Sequence, residues 1–280
     1  MQAQIWEVSH VDYHADHGKI GASMLRIAIK SLTKYRRMFI DDPPLVEEPT
    51  PDMILGSAVH CLVLEPDRFQ SLFCVRPEGI DGRTTDGKKK LAEWRLASID
   101  KQELTSEQHE KAKAIANSVL TEPSVYEWIH TGILERAVTW KTELGMEFKI
   151  RPDIWLPRPD QERDLVLDLK TDKDPSPEDF GGTSSFSSVR KYHHALQGFH
   201  YCLGAELLTG RPCDYGEIVV GKDEPHDVYI YDLTDFLVIG QSQWITAVER
   251  ILGGVETAWR RPDQGKVIRL SPTQWDLQKE

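Results

Sequence analysis

The sequence predicts a single α/β domain in which a central mixed β-sheet is flanked by helices. Three observations point there. Apolar residues recur at helical spacing through about the first 130 residues, a period of two takes over between Glu135 and Thr171, and helical spacing then returns around a second strand pair. No internal repeat, low-complexity linker or composition shift marks a boundary. Residues 1–280 therefore read as one unit, with an N-terminal helical part over about 1–130 and the sheet with its helices over about 131–260.

Ala22–Phe39 has the spacing of one helix, with Ser23 as a candidate N-cap and Met24, Ile27, Ile29 and Leu32 along its apolar side. The proline-rich stretch Asp41–Pro51 ends it. Met53–Leu64 is a dense apolar helix stopped by Glu65-Pro66, since proline cannot continue a helix. Gly79–Lys90 reads as a charged, glycine-punctuated loop and Ala92–Ile115 as a polar surface helix. Strands are expected over Arg136–Thr142, Met146–Leu156 and Leu165–Thr171, separated by turn chemistry at Gly145 and at Pro157-Arg158-Pro159-Asp160. A Ser/Gly/Pro-rich loop, Asp174–Ser188, leads into a helix over Val189–Leu208 that Gly210 and Pro212 close. Glu217–Val220 and Val228–Tyr231 make a strand pair, and a last helix spans about Thr234–Trp259.

Composition narrows the class. The chain is 40% apolar and 28% charged, which supplies a large core and excludes wholesale disorder or collagen-like repetition. No apolar run approaches the roughly 18–20 residues of a membrane helix, and MQAQIWEVSHVDYHADHG lacks the basic start and apolar stretch of a signal peptide. Cys61, Cys74, Cys202 and Cys213 are far apart with no CxxC pair, so neither a zinc knuckle nor a disulfide framework is expected, and a reducing cytoplasm is the expected location. The 34 basic and 45 acidic residues give a net charge of −11, which argues against a bulk polyanion binder. The distribution is uneven, however. Gly18–Ile40 contains no acid but has Lys19, Arg26, Lys30, Lys34, Arg36 and Arg37, and Arg83–Arg95 contains Lys88-Lys89-Lys90. Arg26, Lys30, Lys34 and Arg37 fall on one side of a helix, a stripe that either follows a phosphate backbone or faces solvent. Lys88 and Lys89 reach a phosphate chain only if their loop folds back.

The chemistry concentrates in Leu165-Val166-Leu167-Asp168-Leu169-Lys170. Strand alternation puts Asp168 and Lys170 on one face and Leu167 and Leu169 on the other. A hairpin centred on the 160/161 peptide sets Asp153, in Arg151-Pro152-Asp153, directly opposite Asp168, with Cβ atoms about 4.5–5.5 Å apart. Facing carboxylates repel, and a divalent cation between them removes the conflict. The alternative is an Asp168–Lys170 ion pair on an edge strand, with Asp153 a turn residue. His60 follows Gly56 by one turn in Gly56-Ser57-Ala58-Val59-His60 and is either a core histidine or a ligand. Gln197 and Tyr201 lie at i and i+4 with His194 and Ala205, apart from the apolar Leu196, Phe199 and Leu203. That stripe is either solvated or lines a groove for a sugar-phosphate chain.

In order, G-S-A-V-H, E-R-A-V with R-P-D, L-V-L-D-L-K-T and Q-x-x-x-Y resemble the PD-(D/E)XK nuclease superfamily, and within it the RecE-type (exonuclease VIII-like) group of phages and prophages. The resemblance runs from about Ser23-Met24-Leu25, through Leu64–Phe69 and Arg83–Lys88, to Tyr201. It covers roughly two-thirds of the chain, and no functional motif is recognised beyond about Leu208. It implies a PD-(D/E)XK nuclease-like domain with metal positions at His60, Asp153 and Asp168, helped by the Leu169 carbonyl. Lys170 takes the catalytic-lysine position, and Gln197 and Tyr201 match the helix motif beside the site. Mg²⁺ is the implied cofactor, with Mn²⁺ able to substitute.

The implied activity is an exonuclease that degrades double-stranded DNA ends 5′→3′. It leaves 3′ single-stranded tails for a strand-annealing recombination partner, and relatives of this type form homo-oligomeric rings. An endonuclease or single-strand nuclease would use the same residues. A non-catalytic DNA-binding module, or a metal-stabilised protein with no nucleic-acid role, are the readings from other classes. The acid of the D-x-K triplet is Asp rather than the commoner Glu, and His193-His194 has no assigned counterpart.

Overall fold

The computed structural model describes residues 2–184, 187–260 and 264–267. The chain starts with strand β1 (Ala3–Ile5) and helices α1 (His10–Ala15), α2 (Ala22–Lys30), α3 (Leu32–Phe39) and α4 (Pro51–Leu64). Next come α5 (Phe69–Leu72), β2 (Phe73–Val75), α6 (Thr85–Ala97), β3 (Gln102–Leu104), α7 (Ser106–Thr121) and α8 (Pro123–Thr131). Strands β4 (Ile133–Leu134), β5 (Val138–Lys141), β6 (Glu147–Ile150), β7 (Ile154–Leu156) and β8 (Asp164–Asp172) follow. The short α9 (Pro177–Phe180) and α10 (Ser188–Lys191) lead to α11 (His194–Thr209), β9 (Cys213–Gly221), β10 (Val228–Asp232) and α12 (Leu237–Leu252).

Five strands in the order β10-β9-β8-β7-β4 form the main sheet, parallel between β8 and β9 and antiparallel elsewhere. A three-stranded sheet, β1-β5-β6, lies apart from it, and β2 pairs with β3. Between β7 and β8, Ile154 faces Leu167, Trp155 faces Val166 and Leu156 faces Leu165, the register of a hairpin centred on the 160/161 peptide. Because β8 is the middle strand, the edge-strand alternative for Asp168 and Lys170 falls. Alternation along β8 sends Leu167 and Leu169 into a core with Leu55, Val59, Ile115 and Val119 of α4 and α7. It sends Val166 into a second core with Leu25, Leu196 and Ala247 of α2, α11 and α12. Asp168 and Lys170 therefore lie on the α11 side of the sheet.

Several expected elements are interrupted, each for a local reason. Ala22–Phe39 is two helices, because Ser31 is extended (φ −158°, ψ 108°) and its Oγ accepts the Lys34 N–H at 3.1 Å, capping α3. The N-cap of α2 is Gly21, not Ser23. The loop expected over Gly79–Lys90 ends at Thr84, whose Oγ1 accepts from Gly87 N at 3.0 Å and starts α6, so Lys88 and Lys89 are helical. Ala92–Ile115 is not one helix, since β3 intervenes to pair with β2. Met146–Leu156 is two strands: Pro152 has no N–H for a ladder, and around it the chain leaves the three-stranded sheet and enters the five-stranded one. Val189–Leu208 is broken at Tyr192-His193, where His193 is left-handed (φ 55°, ψ 48°). The last helix stops at Leu252, before Gly253-Gly254, rather than at Trp259.

Candidate active site

The site is assembled by strand pairing. Leu134 of β4 pairs with Ile154, and the next step of that ladder joins Glu135 N to Asp153 O at 3.2 Å. The β7–β8 register brings Asp153 to Asp168, and Asp168 pairs with Glu217 across β8 and β9. Glu135, Asp153, Asp168 and Glu217 thus stand in one row across four neighbouring strands. His60 arrives from α4, whose N-terminus is built by Thr50 as cap and Pro51 in the first turn. Gly56 brings α4 close to β8: a Cβ there would lie 3.1 Å from Thr171 Oγ1.

His60 Nε2 lies 3.0 Å from Asp153 Oδ1 and 3.3 Å from Glu135 Oε1. One ligand-capable atom each from His60, Glu135 and Asp153 falls within 4.8 Å of the others. Asp153 Oδ2 accepts the Leu169 N–H at 2.7 Å. Asp168 is turned the other way. Its Oδ1 accepts from Gln197 Nε2 at 2.7 Å, and its Oδ2 is in contact with Lys170 Nζ. Gln197 Oε1 in turn accepts from Lys170 Nζ at 3.2 Å and from Arg26 at 3.3 Å. Gln197 is therefore buried by its partners, as neither a solvated stripe nor an open groove wall. Tyr201 sits one turn further along α11, half-buried, and its phenol is held far above the usual range by burial and by the nearby Asp168 carboxylate.

Of the residues singled out in the sequence, the structure brings His60 and Asp153 into direct contact and joins Asp168, Lys170 and Gln197 into a second group beside them. Asp168 is not within the tight three-residue cluster, and Glu135, to which sequence reasoning gave no role, takes that place. Glu135 is further held by Arg151, whose Nε lies 3.0 Å from Glu135 Oε2 and whose other arm lies 3.2 Å from Glu65. The positive φ of Glu135 (53°) marks a sharp exit from β4 that no spacing rule signals. The basic stripe is divided by the break at Ser31. Lys34 pairs with Glu47 at 2.7 Å and Arg37 lies 3.9 Å from Asp41, whereas Arg26 and Lys30 turn toward α11 and α10. Lys90 pairs with Asp86 and Lys89 with Glu93 along α6.

The electrostatics are those of crowded acids. Burial disfavours the charged His60 imidazolium, yet the adjacent Asp153 and Glu135 outweigh it and hold the group up to about 9. Burial, reinforced by Asp153, pushes the Glu135 carboxyl up to about 8 and that of Asp168 up to about 7. Burial also works against ionised Asp153, but His60, Lys170 and the Leu169 N–H keep it below the usual carboxylate range. Glu135 Oε1 is buried and accepts no hydrogen bond among the described residues. The carboxylate oxygens are hard donors suited to Mg²⁺ or Mn²⁺, and the borderline imidazole nitrogen is better accepted by Mn²⁺. A cation would also relieve the repulsion that protons now relieve, so these residues fit such an ion.

Among curated proteins, none matches this chain. Among solved structures, it is similar to a crystal structure from Eubacterium rectale described as "Putative exonuclease". The TM-score is 0.65, over 98% of this chain and 99% of that one, at 15% sequence identity, a likeness of fold. Residues 30–266 match the family described as "PDDEXK-like domain of unknown function" (DUF3799). With its mixed sheet and its row of acids beside a lysine, the chain belongs to this PDDEXK-like family.

Proposed function

We propose that the protein is a divalent-metal-dependent deoxyribonuclease of the RecE-like exonuclease type. It degrades double-stranded DNA ends 5′→3′ and leaves 3′ tails for a strand-annealing partner. The observation that carries the reading is the meeting of His60, Glu135 and Asp153 beside the Asp168–Lys170–Gln197 group. His60, Glu135, Asp153 and Asp168 would hold Mg²⁺ or Mn²⁺, with the Leu169 carbonyl as a further candidate ligand. The ion supplies neutralisation of the negative charge that develops on a phosphodiester under attack, and a water made acidic enough to react.

The chain's own residues do the rest. Lys170 is kept protonated by Asp168 and Glu217 against the cost of its burial, so it acts as a cation on the phosphate rather than as a free base. Gln197 bridges Asp168 and Lys170 and fixes the separation between the acid and the ammonium group. Tyr201 is protonated throughout the working range and closes the same side.

The test is linear against circular duplex DNA with Mg²⁺, using wild type, Asp153→Asn, Asp168→Asn and Lys170→Ala. We expect digestion of linear duplex from labelled 5′ ends, and loss of at least about a hundredfold in each variant because each removes transition-state charge stabilisation. Cleavage of the circle would make the enzyme an endonuclease. Near-wild-type activity in both Asp variants would remove the site altogether.

A further inference from the structure

Next to the acid row lies a patch of different character that the proposed chemistry leaves unused. Arg26, Lys30 and Lys191 have no carboxylate within ion-pair distance among the described residues. On the adjoining helix, by contrast, Lys34, Arg36 and Arg37 are all claimed by neighbouring acids. Lys30 Nζ instead donates to the Lys191 carbonyl at 3.1 Å, tying α2 to the end of α10. Between α10 and α11 stands Tyr192, 44% exposed, with Lys30 Nζ 5.9 Å and Lys191 Nζ 4.9 Å from its ring centroid. The left-handed His193 that follows carries the chain from this ring into the buried start of α11. The Tyr192 ring meets that of buried His194 at 6.1 Å, and its exposed part stands beside two cations on a turn built with positive φ.

The patch is continuous with the site. Arg26 lies one helical turn before Lys30, about 6 Å along α2, and donates to the same Gln197 oxygen that Lys170 reaches. Lys170, Arg26 and then Lys30 with Lys191 form a line of cations leading away from Asp168, and Tyr192 stands at its far end. The spacing suits successive phosphates of one extended strand. Aromatic rings beside cations are how proteins hold unpaired nucleic acid, since every base has a face to stack.

We infer that Tyr192, with Arg26, Lys30 and Lys191, forms a binding subsite for a single strand of DNA: the phosphates run over the cations and a base stacks on the Tyr192 ring. The inference rests on the nuclease reading for its direction of travel, but its binding test does not need cleavage. Metal-free protein is titrated into a short fluorescein-labelled oligothymidylate, and anisotropy is followed at several salt concentrations. Tyr192→Ala should weaken binding on the order of tenfold, and Tyr192→Phe should restore it, because stacking needs the ring and not the hydroxyl. Lys30→Gln with Lys191→Gln should flatten the slope of log affinity against log salt by about 1.4, two phosphates at roughly 0.7 each. Hydrolysis of bis(p-nitrophenyl) phosphate with Mn²⁺, which needs no subsite, should be unchanged in all three variants.

If wild type cleaves DNA while Tyr192→Ala binds the oligonucleotide as tightly as wild type, the subsite is wrong and the nuclease reading stands. If binding depends on Tyr192 but wild type hydrolyses neither substrate, the nuclease reading fails and the subsite stands.

Discussion

Glu135→Gln separates a metal ligand from a mere partner of Arg151. The substitution keeps the shape of the side chain and removes one negative charge from a cluster whose ligand atoms lie within 4.8 Å of each other. An ion held by these atoms lies closer to Glu135 than they lie to one another, so with 4.8 Å as an outer limit and an effective dielectric constant near 20, a unit charge on the ion interacts with Glu135 by at least about 3.5 kcal/mol. Part of this is offset, since burial pushes the Glu135 carboxyl up to about 8 and its proton must leave before an ion binds. At pH 7 that costs about 1.4 kcal/mol. The remainder, about 2 kcal/mol, corresponds to roughly a thirtyfold loss of affinity, a lower bound because a divalent ion carries two charges.

Stability should fall by a similar amount. Arg151 retains Glu65 at 3.2 Å and the Glu135 backbone carbonyl at 3.0 Å, and glutamine still offers an oxygen, so about 1–3 kcal/mol is expected. Calorimetric titration of Mn²⁺ into metal-free protein measures the first quantity, and urea unfolding the second. Wild-type affinity in a folded variant would refute the argument and leave Glu135 as a clamp for Arg151.

Two further outcomes follow from the packing and charges described above. Gly198→Ala puts a Cβ 2.4 Å from the ring of Tyr215, which is fully buried and pinned through its hydroxyl to Glu217 at 2.7 Å. Overpacking should therefore exceed the gain in helix propensity and lower stability by about 1–3 kcal/mol in urea unfolding; an unchanged midpoint would mean that α11 shifts freely on β9. The metal-free protein should also lose thermal stability as the pH rises to about 9. His60 is held up to about 9, so its favourable contribution is complete below its unfolded value and lost as the pH climbs. Glu135 and Asp168, raised to about 8 and 7, cost stability from about pH 4, where the unfolded carboxyls ionise, up to those values, so the decline starts lower and His60 extends it to about 9. Mg²⁺ should consequently raise the melting temperature more at pH 8.5 than at pH 6, and an equal increment at both would contradict the assigned proton inventory.

The hairpin was legible because strand period and turn chemistry are both local: Pro157–Asp160 and the alternation in Leu165–Lys170 suffice to set Asp153 against Asp168. Gln197 was legible as part of a helical pair, although its partners were not, since those depend on how α11 crosses β8 and β9. Glu135 stood within the E-R-A-V block and still went without a role. What places it is the two-residue strand β4 pairing with β7, too short to leave a periodic signal. Glu217, with His194 at 2.6 Å, is hidden in the sequence for a related reason: a fully buried acid reads as an ordinary strand residue until its partner, 23 positions away, folds onto it. The helix breaks at Ser31 and His193 were hidden because single-residue departures barely disturb a window of helical spacing.

The break at Ser31 has a kinetic meaning as well. An unbroken helix would have carried four cations along one side; instead the outer two are neutralised by Glu47 and Asp41, and Arg26 and Lys30 are kept near Gln197. From afar a DNA molecule would meet a net charge of −11 and be repelled, while beside Gln197 it would meet Arg26 and Lys30, which have no acidic partner among the described residues. Modest salt, with a screening length near 10 Å at 0.1 M, weakens the distant repulsion more than the close attraction. Encounter rates should then rise with ionic strength before they fall, giving an optimum where a uniformly basic nuclease would show only a decline.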